Sequence, residues 1–173
     1  MPYYQDMPRA LLAASALLVI VLTGCAGGGF AFSVDDFAIP ADSTAGTVCW
    51  VQVNNDSSVG VRSATFEAVA TYLRDDTLIA TDSQATVEVF GRDTAPSATC
   101  TTASGTDVKL GGPFTLTLDE AQQIRIGEGS SGTELARLAN GGTYWLGARL
   151  GSGFQIGGEQ SITFEDGRIR IWL

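Results

Sequence analysis

The chain has 173 residues, 10 Lys and Arg against 19 Asp and Glu, and a formal net charge of −9. It contains no histidine, which removes the commonest general base, the commonest zinc ligand and every Ser-His-Asp or Cys-His nucleophile system. Its basic residues are scattered arginines and one lysine, Lys109, so no nucleic-acid-binding surface is expected.

The first element is an apolar run from Ala10 to Leu22, preceded by Arg9. It has the length of a signal-peptide core and falls short of the roughly 20 residues that a spanning helix needs. Asp6 is unusual ahead of such a run, and Met7 makes a cleaner start than Met1. The run closes on Leu22-Thr23-Gly24-Cys25: an aliphatic residue, two small residues, then cysteine. This resembles the lipobox of bacterial lipoproteins position by position. The resemblance implies that residues 1–24 are a lipoprotein signal peptide cleaved before Cys25, and that Cys25 carries a thioether-linked diacylglycerol. The new amine is then often acylated, palmitate being a typical chain. Each buried methylene contributes about 0.8 kcal/mol, so two or three chains hold a protein stably on a membrane. The implied location is the cell envelope, with the domain on the extracytoplasmic side. The alternative is an ordinary secretory signal with a chance cysteine.

Residues 25–29 read as the lipidated cysteine and a glycine-rich tether, because glycines lose much entropy on ordering. Asp6 and Arg9 cancel, so the remaining chain keeps the charge of −9. An acidic surface repels anionic headgroups, which leaves attachment to the acyl chains. Residues 30–173 suit one domain with a real core. Its two cysteines, Cys49 and Cys100, form an even pair, most simply a disulfide in an oxidising compartment. Two free buried thiols are the alternative.

Along the domain, Phe30, Phe32 and Val34 alternate, and Phe37 and Ile39 shift phase across Asp35-Asp36: a strand with a bulge or turn. Thr47 to Val53 reads as a strand with Cys49, Val51 and Val53 on one face and Val48, Trp50 and Gln52 on the other. A polar turn follows at Asn54 to Ser58. The strand to about Leu73 then places Ala64, Phe66, Ala68, Ala70 and Tyr72 on one face. Arg74-Asp75-Asp76 turns the chain into Leu78 to Ala80. Val87 and Val89 mark a further strand, and Arg92 to Gly105 is loop-rich. Val51-x-Val53-x-Asn55, a polar turn, a long alternating strand and an acidic turn are similar to the paired strands of immunoglobulin-like sandwich modules.

After Gly111-Gly112-Pro113, Phe114, Leu116 and Leu118 alternate. Asp119 to Gln122 reads as one helical turn capped by Asp119, and Ile124 and Ile126 resume extended structure. One helix is expected at about 132–140, with Ser131 and Glu134 at capping-box spacing, Leu135 and Leu138 on one face, and Asn140-Gly141 as its end. Tyr144, Leu146, Ala148 and Leu150 then point inward on one strand. A leucine, a glycine turn and a tyrosine entering a strand resemble the tyrosine corner of immunoglobulin-type sandwiches, which implies that the Tyr144 hydroxyl bonds backbone upstream. Gly151 to Gly158 is a glycine-rich connection. Asp166-Gly167 between two alternating runs, Ile162 and Phe164 then Ile169 and Ile171, predicts a hairpin. The expected fold is therefore all-β: an antiparallel immunoglobulin-like sandwich with one short helix.

Alternation puts Trp50, Trp145 and Trp172 on outward faces, with Arg149 and Arg170 in register beside the last two. Exposed aromatics with polar neighbours suit a sugar- or protein-binding surface; coverage by loops or the helix is the plainer alternative. The pairs Asp35-Asp36, Asp75-Asp76 and Glu165-Asp166, with Asp56, lack the spacing of a calcium loop, so no metal or other cofactor is expected. Gly127 to Gly132 has no lysine beside it and is not read as a phosphate loop. The expected function is non-catalytic: a lipid-anchored binding or assembly module for an envelope protein or a polysaccharide. The rivals are a carboxylate-dependent glycan hydrolase, which needs two carboxylates about 5–10 Å apart in a cleft, and a purely structural spacer.

Overall fold

A computed structural model describes residues 29–55, 60–74, 83–127, 130–151 and 160–173. The lipobox, the tether up to Gly28, the Asp75-Asp76 turn with its Leu78–Ala80 strand, and the glycine-rich connection at 152–158 lie outside the described residues. The elements in order are β1 (Gly29–Ser33), β2 (Phe37–Ile39), β3 (Thr47–Asn54), β4 (Ser63–Arg74), β5 (Gln84–Arg92), β6 (Cys100–Thr102), β7 (Val108–Thr117), β8 (Ala121–Ile126), α1 (Ser130–Asn140), β9 (Thr143–Leu150) and β10 (Gln160–Trp172). Gly29, expected in the tether, is the first residue of β1 and pairs with Trp172.

The strands form two antiparallel five-stranded sheets. The first runs β1-β10-β4-β8, with β2 also on β10; the second runs β6-β3-β9-β5-β7. The fold is thus an all-β sandwich with one short helix. Its strand order has a feature of its own: β9 and β10 lie in different sheets, where the immunoglobulin order sets its last two strands side by side. β3 and β4 likewise part into different sheets instead of pairing with each other. The core between the sheets is the set expected from alternation. Ala64, Phe66, Ala68, Ala70 and Tyr72 of β4 and Ile162, Phe164, Ile169 and Ile171 of β10 meet Cys49, Val51 and Val53 of β3 and Tyr144, Leu146, Ala148 and Leu150 of β9. Period-two burial on both sheets is what makes two layers the stable solution.

Three local expectations are corrected. The Asp166-Gly167 hairpin is absent: β10 is one continuous strand along β4, with two residues, Asp166 and Gly167, opposite Ala68. Asp166 takes φ +54°, which serves a bulge here as it would a turn. Asp119 to Gln122 is not a helical turn. Asp119 adopts φ +59°, its N–H donates to the Tyr72 carbonyl at 2.8 Å, and β8 begins at Ala121. The corner bond of Tyr144 is also absent. Its side chain is fully buried, yet its hydroxyl has no hydrogen-bond partner. The reason lies upstream, where a helix end stands in place of a sheet corner. The Leu138 and Ala139 carbonyls already accept from the N–H groups of Gly141 and Gly142, and Ala139 also from Asn55 Nδ2.

Burial without a partner pushes the Tyr144 hydroxyl well above the ordinary tyrosine range. An unpaired buried hydroxyl costs about 1–3 kcal/mol. Tyr144→Phe is therefore expected to match or exceed the wild type in urea-midpoint stability. A loss of more than about 1 kcal/mol would show that the hydroxyl has a bond after all.

Helix α1 lies over β4 of the first sheet and reaches β5, β7 and β9 of the second. Leu135, Leu138 and Ala139 are buried. The helix starts at Ser130, ahead of the expected cap at Ser131. Two glycines allow the close seat of its first turn. A Cβ on Gly127 (φ +104°) would lie 2.3 Å from the Ala64 carbonyl oxygen, and one on Gly132 would lie 2.3 Å from the Gly127 carbonyl oxygen. At its other end Asn140 imitates a strand residue: it accepts from Val61 N–H at 2.7 Å and donates to the Val61 carbonyl at 2.8 Å.

Candidate functional site: the outer face of the second sheet

Outward residues of β3, β9 and β5 fall into cross-strand rows. Gln52, Trp145 and Arg92 share one row, Trp50, Gly147 and Phe90 the next, and Val48, Arg149 and Glu88 the third. The middle row is packed like a small second core. Val48, Trp50 and Phe90 are buried, and Trp145 is half-buried against them. Gly147 leaves the space the indole occupies, since a Cβ there would meet Trp50 Cε3 at 2.5 Å and Val48 Cγ1 at 2.7 Å. The Trp50 indole N–H donates to Thr101 Oγ1 of β6 at 2.9 Å.

Two arginines close this face. The Arg92 guanidinium lies 5.1 Å from the Trp50 ring centroid, and that of Arg149 lies 4.5 Å from the Phe90 centroid. Both lie within the range of cation–π attraction. Each is held from its other side. Arg92 meets Asp107 at 3.4 Å, and Asp107 itself accepts from the Ser104 N–H at 2.7 Å. Arg149 Nη2 donates to Glu88 Oε2 at 2.6 Å, and Lys109 Nζ donates to Glu88 Oε1 at 2.5 Å.

The ammonium of Lys109 and then the guanidinium of Arg149 hold the Glu88 carboxyl below its ordinary value of 4.5. A depressed folded-state value stabilises the fold above the unfolded pKa, and that contribution is lost as pH falls through the folded one. Glu88→Gln is therefore expected to flatten the fall of Tm with acid below about pH 4.5. Parallel melts of wild type and variant from pH 6 to pH 3 check this; identical slopes would count against the clamp. Glu88 is thus kept ionised, the opposite of what a glycosidase acid requires.

The five residues expected to form one binding surface separate. Trp50, Trp145 and Arg149 share the outer face of the second sheet. Trp172 and Arg170 lie on β10 of the first sheet, on the side away from Ile169 and Ile171. The outer faces of a sandwich point in opposite directions, so the three tryptophans form no common patch. Trp50 is only 4% exposed and belongs to packing; Trp145 is the more exposed of the two indoles on this face. The sequence marks Lys109 only as the sole lysine and does not mark Glu88, Phe90 or Arg92 as site residues. The signal for those three is their alternation against Val87 and Val89, which becomes informative once β5 is known to flank β9.

Cys49 and Cys100 are joined by a disulfide and sit directly opposite each other on β3 and β6. Among the described residues no three acidic or cysteine side chains converge as a metal site would require. No described helix is long and apolar enough to cross a membrane. The chain matches no protein-family model and no curated protein.

Proposed function

We propose that this chain is a lipid-anchored cell-envelope lipoprotein, held through Cys25, whose β-sandwich is a non-catalytic binding or assembly module for an envelope protein or a polysaccharide. Two features support the reading: the Leu22-Thr23-Gly24-Cys25 box, and the pre-packed outer face of the second sheet. The latter is the observation that carries the binding role. Trp145 stands half-exposed between Gln52 and Arg92, on a floor whose side chains are already fixed by Trp50, Phe90 and two guanidinium stacks. A rigid aromatic with adjacent polar groups loses little entropy on engaging a partner.

Cys25→Ser is expected to abolish flotation with protein-free lipid vesicles. If the variant still floats with them, lipid anchoring fails. The unlipidated Cys25→Ser protein is then expected to co-sediment with isolated envelopes through its partner, and Trp145→Ala to lose about tenfold or more in affinity, roughly 1.4 kcal/mol. Retention on protease-treated envelopes identifies a polysaccharide partner, and loss identifies a protein. Equal binding by Trp145→Ala would move the site off this face.

A further inference from the structure

One corner of the first sheet has no role in the outer face just described. Phe30 on β1 is 51% exposed, and Leu173, beside its β10 partner strand, is 39% exposed. Phe30 lies on the core-facing side of β1, as its pairing with Ile171 requires, but the main neighbour of β1 is β10, and Phe30 is left uncovered. Trp172 occupies the other side of the same corner. It pairs with Gly29, and its indole lies so close over that residue that a Cβ there would meet Nε1 at 3.2 Å. Two exposed arginines flank it: Arg170 on β10, and Arg62, whose N–H donates to the Trp172 carbonyl at 2.8 Å. Neither forms an ion pair among the described residues.

The geometry points to this corner, Phe30, Trp172 and Leu173 with Arg62 and Arg170, as a footing on the headgroup–acyl boundary of the bilayer that carries the protein. The inference rests on the proposed acylation of Cys25. Gly29 is only four residues beyond Cys25, and four extended steps span at most about 14 Å. The corner is therefore held close to the bilayer surface, within about 14 Å of the anchor. Its composition suits that depth: an indole and a phenyl ring at the interface, with guanidiniums for phosphate oxygens. The overall negative charge does not oppose it. Along β1 and β10 the acidic residues Asp35, Asp36, Glu165 and Asp166 lie at and beyond the bulge. Six residue steps along β10 separate Asp166 from Trp172, roughly 20 Å, more than two Debye lengths at physiological salt.

The test uses the full lipidated chain reconstituted into phosphatidylcholine–phosphatidylglycerol vesicles, with bromine placed at shallow or deep acyl positions. Shallow bromine is expected to quench part of the tryptophan emission, and Trp172→Phe to abolish that quenching, because Trp50 and Trp145 lie on the opposite sheet. Phe30→Trp reports from the other side of the corner and is expected to increase it. A protein that floats with vesicles and carries diacylglycerol on Cys25 by mass, but shows the same emission with and without bromine in wild type and Phe30→Trp, overturns the footing and leaves the anchor standing. An unmodified Cys25 with no flotation overturns both.

Discussion

Replacing Cys49 and Cys100 together with alanine is expected to lower the unfolding free energy by about 4 kcal/mol, the chain-entropy value for a loop of this length. For a domain of this size that corresponds to a fall in Tm of roughly 10 °C. The bridge joins two residues 51 positions apart. It also holds β6, a three-residue edge strand paired only with β3. Backbone ties nearby are few: the Trp50 N–H reaches the Thr99 carbonyl at 2.7 Å, and the Ala103 N–H reaches the Gly46 carbonyl at 2.8 Å. Once the bridge is absent, these, the Trp50–Thr101 bond and a three-residue ladder with β3 hold β6 to the sheet. Thermal melts with and without a membrane-permeant phosphine reductant provide the check. Complete alkylation of both thiols with an unchanged Tm would sink the claim.

Trp50→Ala is expected to cost about 3–5 kcal/mol, as for a large aromatic removed from packed surroundings, although Trp50 lies on an outward face. Gly147 cannot fill the space left, so a cavity remains between Val48 and Phe90. Arg92 loses its aromatic floor and the Thr101 hydroxyl loses its donor. Trp145→Ala, at a half-exposed position, is expected to cost about 1 kcal/mol or less. Urea unfolding of the two variants side by side distinguishes them. Equal destabilisation would mean that the outer cluster is not a second core, and the division of labour between the two indoles would fail with it.

That division bears on the proposed binding role. Under that proposal, a floor fixed by packing leaves Trp145 free to vary for a partner without endangering the fold. The charge clamp serves the same end, because Arg149 and Lys109 are both fixed in place by Glu88.

Read from composition and alternation alone, the chain already specified much of this molecule. The inward residues of β3, β4 and β9 follow from a period of two, because a strand that buries one face must carry apolar side chains at every second position. The helix around Leu135 and Leu138 follows from its spacing. The pairing of Cys49 with Cys100 was one of two readings that an even count allows. What alternation cannot convey is which sheet a strand joins. The same pattern around Trp172 serves either sheet, and only the insertion of β10 between β1 and β4 sets that indole opposite Trp50 and Trp145. Asp166-Gly167 shows the same limit at one residue. A left-handed backbone satisfies a hairpin turn and a bulge equally, and β4, long enough to pair with both halves of β10, decides for the bulge. Local chemistry determines which faces are apolar; long-range pairing determines their neighbours, because partner strands far apart in sequence leave no mark on each other's periodicity.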